Sequence, residues 1–428
     1  MPALERPRLR SHLTWETEGA GGYVIRDQLR LAVHQLRLTH LEMSWLRLFD
    51  GQRTLPDIQS EALRYINDLA EPVDVFRRFV RKLDDALFFD GPRFRSRLSE
   101  HAGNPIRPPA CLACYDNDPV RLRRSLARFF TGPGGPGRPG PRRPEERFRA
   151  ALIPHIDYGR GGYTYAWAYK EVLERCPASL FVIIGTSHYS YHRFTLTRKH
   201  FQTPLGIALT DQTYIDRLAA HYGDGLFDDE FAAHLPEHSI ELEVIFLQYL
   251  YPDKPFRIVP LVVGSFRDCV LSGHEPDRMD DIGRMIAALK AAERETKEPI
   301  CYIISGDLAH IGPKFRDPRP VNPTQLTHSR RQDLALLHEL GESANGAASA
   351  PRGRDALGAL TRSRSPDPSG YFRVIAEEHD ARRICGLPPT YIVLKALQPS
   401  RGEVLHYDQY VHPEGYESVS FASVVFYK

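Results

Sequence analysis

Along residues 23–100, apolar and polar positions switch period twice. Leu29, Leu31, Val33, Leu36 and Leu38 alternate with polar neighbours, the pattern of half-buried strands. From Thr39 the spacing becomes helical. Thr39 reads as an N-cap for His40–Phe49, whose apolar face carries Leu41, Trp45, Leu46 and Leu48. Asp50-Gly51 marks a turn, and Thr54 caps a second helix bearing Leu55, Ile58, Leu63 and Ile66. A third helix is expected over Val73–Leu87, with Val75, Phe76, Phe79, Val80 and Leu83 on one side. Strands followed by three amphipathic helices predict a small winged-helix-like α+β domain over 1–100. A polar, proline-rich join at 99–110 leads to an Arg-rich helix at 119–130.

From 147 onward the pattern is that of an α/β protein, which defines a second domain over 107–428. Apolar, strand-sized runs occur at Phe148–Ile153, Leu180–Gly185, Ile258–Val263 and Pro299–Ser305. Helical spacing lies between them at Gly162–Arg175, Gln212–His221, Ser239–Tyr251 and Ile282–Arg294, and after them at Thr327–Gly341. Continuous β-rich runs separated by amphipathic helices predict a sheet covered on both faces. Tyr391–Ala396, Val404–Val411 and Val419–Tyr427 read as three further strands. Two segments break the pattern. At 131–144 Gly and Pro dominate and predict a mobile surface loop, and 343–369 reads as a second loop.

Composition narrows the classes. Lys+Arg number 56 and Asp+Glu 54, a net charge of +2, so no strong field draws the chain to nucleic acid or to a membrane surface. No apolar run reaches membrane-spanning length, the start lacks a signal-like apolar core, and six cysteines in 428 residues do not make a disulfide framework. The expectation is a cytoplasmic protein. Cys111 and Cys114 have no second pair to build a zinc site with, and packing accounts for them.

Candidate chemistry collects just past the strands, where open α/β sheets place their sites. The segments are Pro154-His155-Ile156-Asp157-Tyr158, Gly185-Thr186-Ser187-His188 and Ser305-Gly306-Asp307-Leu308-Ala309-His310, with Glu237-His238-Ser239 opening a helix. Each puts a histidine at an element boundary. Neutral imidazoles plus a carboxylate suit a divalent first-row metal such as Fe(II); the same groups serve equally as metal-free general acid and base. Asp157, Tyr158, Ser187, Glu237 and His310 are the expected cleft lining.

The motifs IPHIDYGRGGYTYAWAY, IIGTSHYSY, FQTPLGIALTD, EHSIELEVIFLQYL, IVPLVVG and IISGDLAHIGPKF, in that order, resemble the Memo family over about 107–428. The resemblance implies a fold similar to class III extradiol dioxygenases and an iron- or copper-binding cleft for a small-molecule ligand. It matches His155 and His188 to the two metal-ligating histidines and His238 to the acid/base histidine. It also implies a link to a radical-SAM protein and a small companion (the AmmeMemoRadiSam system). The third ligand position falls on Ala309, which has no donor atom, so tightly bound iron is less expected. Asp307, two residues earlier and on the same side of an extended segment, is then the first choice for third ligand and Glu237 the second, whereas His310 should face away unless the chain turns. LTHLEMSWLRLFDGQRTLPDI and LDDALFF resemble PqqD-like domains, which implies capture of a peptide or protein partner. Two functions are therefore open: a non-haem metal-dependent, dioxygenase-like oxidoreductase, or a non-catalytic scaffold that recruits a partner through 1–100.

Overall fold

The computed structural model describes residues 5–18, 21–29, 31, 35–64, 71–343 and 365–428. The chain divides into two compact units, Met1–Pro105 and Ile106–Lys428.

The first unit holds a three-stranded antiparallel sheet in the order β1 (Leu13–Glu18), β2 (Gly22–Asp27), β3 (Leu36–Leu38). Of these, only β3 lies in the alternating segment. Leu29 and Leu31 are buried but not in a strand, because the Asp27 carboxylate accepts their backbone N–H groups at 2.9 and 2.6 Å and turns the chain. Val33 lies outside the described residues. Helices α1 (His40–Leu46) and α2 (Leu55–Leu63) both start in capping boxes, at Thr39 and Thr54. Each such cap contributes about 1 kcal/mol. Helix α3 (Pro72–Asp85) supplies Phe76, Phe79, Val80 and Leu83 to the core around Trp45. A fourth helix, α4 (Pro92–Gly103), runs into the start of what reads as a polar join.

The second unit is built on a twelve-stranded mixed sheet flanked by helices. Its strands are β4 (Ile106–Arg107), β5 (Phe148–Ile153), β6 (Leu180–Thr186), β7 (Phe194–Leu196), β8 (His200–Thr203), β9 (Gly206–Thr210), β10 (Arg257–Val263), β11 (Ile300–Ser305), β12 (His310–Ile311), β13 (Glu342–Ser343), β14 (Arg401–Val411) and β15 (Ser418–Tyr427). Neighbours run β13-β14-β15-β5-β11-β6-β10-β9-β8-β4. The centre, β5-β11-β6-β10, is parallel, and β15 lies antiparallel against β5.

Strand alternation divides the interior into two cores. Ala150, Leu152, Val182, Ile184, Tyr302 and Ile304 face one side, packed by α7 (Gln212–Tyr222), α11 (Asp280–Glu295), α12 (Pro323–Leu340), α13 (Pro368–Glu377) and α14 (Leu387–Leu397). Ala151, Ile153, Phe181, Ile183, Cys301 and Ile303 face the other, under α5 (Pro119–Thr131), α6 (Tyr158–Arg175) and α9 (Glu241–Leu250). Two short helices, α8 (Glu230–His234) and α10 (Arg267–Ser272), complete the set among the described residues.

One expectation changes in this unit. Tyr391–Ala396 is not a strand but the middle of α14. Pro388 and Pro389 sit in its first turn, where their missing N–H groups cost nothing, and nearly every side of it is buried, so no amphipathic period shows. The Gly/Pro segment 131–144 is fastened to its surroundings. Trp167 Nε1 donates to the Gly134 carbonyl at 2.9 Å, Gly140 N to Glu174 Oε1 at 2.5 Å and Arg142 to the Cys176 carbonyl at 2.8 Å. Of the loop expected at 343–369, residues 344–364 lie outside the described residues, and α13 already begins at Pro368.

Candidate functional site

The parallel strands end together, and the connectors that follow them converge on one cavity of about 400 Å³. His155 follows β5, His188 follows β6, Asp307 follows β11 and His238 precedes α9. All four line the cavity, together with Asp157 and His310. The chain does turn after β11: Ala309 is buried in the apolar core, and His310 comes round to the cleft.

The three rings of His155, His188 and His238 pack with centroids 5.0 to 5.4 Å apart. One ring nitrogen of each lies within 4.8 Å of the other two. Their orientation has identifiable causes. The Ser305 hydroxyl donates to the Ser239 carbonyl at 2.5 Å, so it is an acceptor toward His155 Nδ1 at 3.3 Å; this puts the His155 proton on Nδ1 and leaves Nε2 with its lone pair. Burial, reinforced by the neighbouring His188 and His238, holds the His155 pKa well below the ordinary histidine value.

Glu237 organises the other two rings. Its carboxylate meets His188 Nδ1 at 3.0 Å and His238 Nδ1 at 3.3 Å, and accepts the backbone N–H groups of His188, His238 and Ser239. Burial opposes the ionised form, yet these partners, His188 above all, hold the Glu237 carboxyl well below its usual range. In return, and against its own burial, His188 is raised above the ordinary histidine value. Glu237 is therefore a carboxylate behind the rings, an arrangement that orients metal-binding histidines. It lies 2% exposed behind the cavity wall, with its oxygens already engaged, so it is a poor second choice for third ligand.

Asp307 is buried beside His155. Its Oδ1 accepts the N–H groups of His155 and Ile156 at 3.0 and 3.3 Å, and Oδ2 stands 3.8 Å from His155 Nε2. Burial pushes its pKa up to about 7, with the two N–H bonds pulling the other way. Asp307 and His188 do not fall in one donor group. Among the described residues, two groups have ligand-type atoms mutually within 4.8 Å: His155, His188 and His238, and His155, Asp307 and Cys385. His155 belongs to both.

Other expected lining residues lie elsewhere. Tyr158, the first residue of α6, is 3% exposed in the core, its hydroxyl donating to the Leu242 carbonyl at 2.6 Å. Ser187 opens on an adjoining cavity of about 190 Å³, which shares Arg383 and Cys385 with the first. His310 Nδ1 faces the Leu308 and Arg383 carbonyls at 3.1 and 3.0 Å, which assigns its proton there; burial lowers its pKa to about 4.

Three residues were missed from sequence. Arg107 is 1% exposed; its guanidinium binds Glu241 at 2.5 Å, the His234 carbonyl at 2.7 Å and the Glu237 carbonyl, which pins the segment carrying His238. No motif marks it. Cys385 brings its Sγ within 3.2 Å of His155 Nε2. Cys114, on the cavity wall, is joined to Cys111 in a disulfide, a local pairing rather than a framework.

The donor chemistry fits a divalent metal: imidazole nitrogens, two with a carboxylate behind them, and a carboxylate and a thiol within reach of His155. Comparison with known proteins assigns the chain. The model of the Memo family, described as Memo-like protein, matches residues 107–425. The chain belongs to the Memo family. A MEMO1 family protein of Aquifex aeolicus is 24% identical over 95% of this chain and 96% of its own length, so the Memo likeness there runs together with a match to the first unit. A Memo relative from Thermus thermophilus is 28% identical over 69% of this chain and 83% of its own. One from Ignicoccus hospitalis is 30% identical over 47% and 73%. Among the described residues of this Memo protein, no helix is long and apolar enough to cross a membrane.

Proposed function

We propose that the cleft is the centre of a non-haem metal-dependent oxidoreductase of dioxygenase-like type, acting on a small oxygen-rich or aromatic ligand. The observation that carries this reading is the cluster of three histidine nitrogens within 4.8 Å, two of them oriented by the buried Glu237 carboxylate. His155 and His188 would hold the ion, Fe(II) or copper, with Asp307 the carboxylate nearest His155. Bound there, the metal supplies Lewis-acid and redox chemistry. The chain's own groups do the rest. His238, whose ring Nδ1 stands 3.3 Å from the Glu237 carboxylate, moves a proton between ligand and ring. His310, held neutral, offers an acceptor nitrogen to the cleft. Arg160, Lys314 and Arg383 line the same cavity and suit oxygen atoms on the ligand.

The test is metal content of protein purified without oxygen, beside the H155A/H188A variant. Near-stoichiometric iron or copper that disappears in the variant is the expected result; equal metal in both overturns the reading.

One observation favours a second, compatible function for the first unit. Strand β1 is an edge of its sheet among the described residues, and Trp15 on it is 57% exposed. An extended peptide, or a segment of a radical-SAM partner, would pair with such an edge by strand addition. Capture of that partner in a pull-down should vanish when residues 1–105 are deleted; retained capture argues against it.

A further inference from the structure

Beside His155 lies a thiol whose position is fixed by backbone, not by chance contact. The turn after β11 and the turn before α14 are bonded to each other: Gly386 N donates to the Asp307 carbonyl at 2.9 Å, and Asp307 N points at Cys385 Sγ at 3.3 Å. Gly306 and Gly386 make this possible, since a Cβ on Gly306 would stand 2.5 Å from Gly386 Cα. Thr186 at the end of β6 donates to the Cys385 carbonyl at 2.8 Å and holds the turn from a third strand end.

The donors then face one another. His155 Nε2, with its lone pair exposed by the Nδ1 bond to Ser305, lies 3.2 Å from Cys385 Sγ and 3.8 Å from Asp307 Oδ2. Asp307 Oδ1 is occupied by two N–H groups, so Oδ2 is the oxygen turned to the site. Ligands at about 2.0–2.3 Å from a shared tetrahedral ion sit about 3.4–3.6 Å from each other. The two separations found bracket that span.

We infer that Cys385 is the sulfur ligand of the centre, binding a thiophilic divalent ion as thiolate together with His155 and Asp307. The thiol proton leaves to solvent as the metal–sulfur bond forms. A nitrogen-and-oxygen site alone does not select strongly among first-row ions; a thiolate biases it toward zinc, copper or cobalt. This inference rests on the metal reading of the cleft and shifts the ion from the His188 side of the donor cluster to the Asp307 and Cys385 donors that share His155.

The experiment titrates the full chain, oxygen-free and with the Cys111–Cys114 disulfide intact, with Co(II). Wild type should develop a sulfur-to-cobalt charge-transfer band in the near ultraviolet. C385S should lose that band and bind Co(II) at least tenfold more weakly, whereas C269S should keep both. A second readout needs no variant: Co(II) should slow alkylation of Cys385 by iodoacetamide, followed by peptide mass mapping. Circular dichroism and melting of C385S and C385A report whether those variants fold. Co(II) bound through the histidines with no charge-transfer band and no protection overturns the thiolate and leaves the metal reading intact. No Co(II) binding by wild type overturns both.

Discussion

At the level of single side chains, the cleft sets favourable chemistry against folding stability. Asp307 ionises near pH 7 in the folded chain but near its ordinary value when unfolded. Because the folded pKa is the higher one, ionisation costs stability: nothing at pH 3, progressively more from about pH 4, and the full amount above pH 7. Asp307→Asn keeps an oxygen for the two N–H groups and removes the buried charge. The metal-free variant should therefore melt higher than wild type at pH 8, by a few kcal/mol, and no higher at pH 4. Thermal melts at both values check this. Glu237 acts in the opposite sense, its depressed carboxyl stabilising the fold above about pH 4.5. Glu237→Gln removes the charge that raises His188, so the His188 ring should titrate lower in the variant, measured by NMR on metal-free protein, and metal affinity should fall about 10–100-fold. The four boundary histidines and Asp307 are legible in the sequence because each follows or precedes an obvious element. Cys385 and Arg107 are not: their partners lie 230 and 134 positions away, and no local pattern encodes that.

Among elements, the central strands are legible because they are short, apolar and flanked by helices of clear period. Helix α14 is not, since a segment buried all round has no face to reveal its period, and Ile392-Val393 imitates a strand. Strands β1 and β2 also escape, with most of β1 exposed and little apolar signal to read. The connectors depend on two tethers. Arg107→Ala strands the buried Glu241 carboxylate and should cost about 3–5 kcal/mol, seen as a lower denaturant midpoint. Gly306→Ala drives the β11 and α14 turns apart and should cut metal affinity more than it lowers stability, by calorimetric titration beside a melt.

For the whole molecule, the two-part organisation is legible in the change of period near residue 100, and the units meet at 105/106. Each has its own apolar core. A chain beginning at Ile106 should therefore fold cooperatively and bind metal as the full chain does; loss of either would tie the cleft to the first unit. Among the described residues, His155 is the one side chain shared by both donor groups. Replacing Cys385 or Asp307 leaves a nitrogen trio, and replacing His188 or His238 leaves a sulfur–oxygen–nitrogen trio, but replacing His155 leaves neither. A single substitution at position 155 therefore removes both donor sets at once, whereas each of the other four residues removes only one.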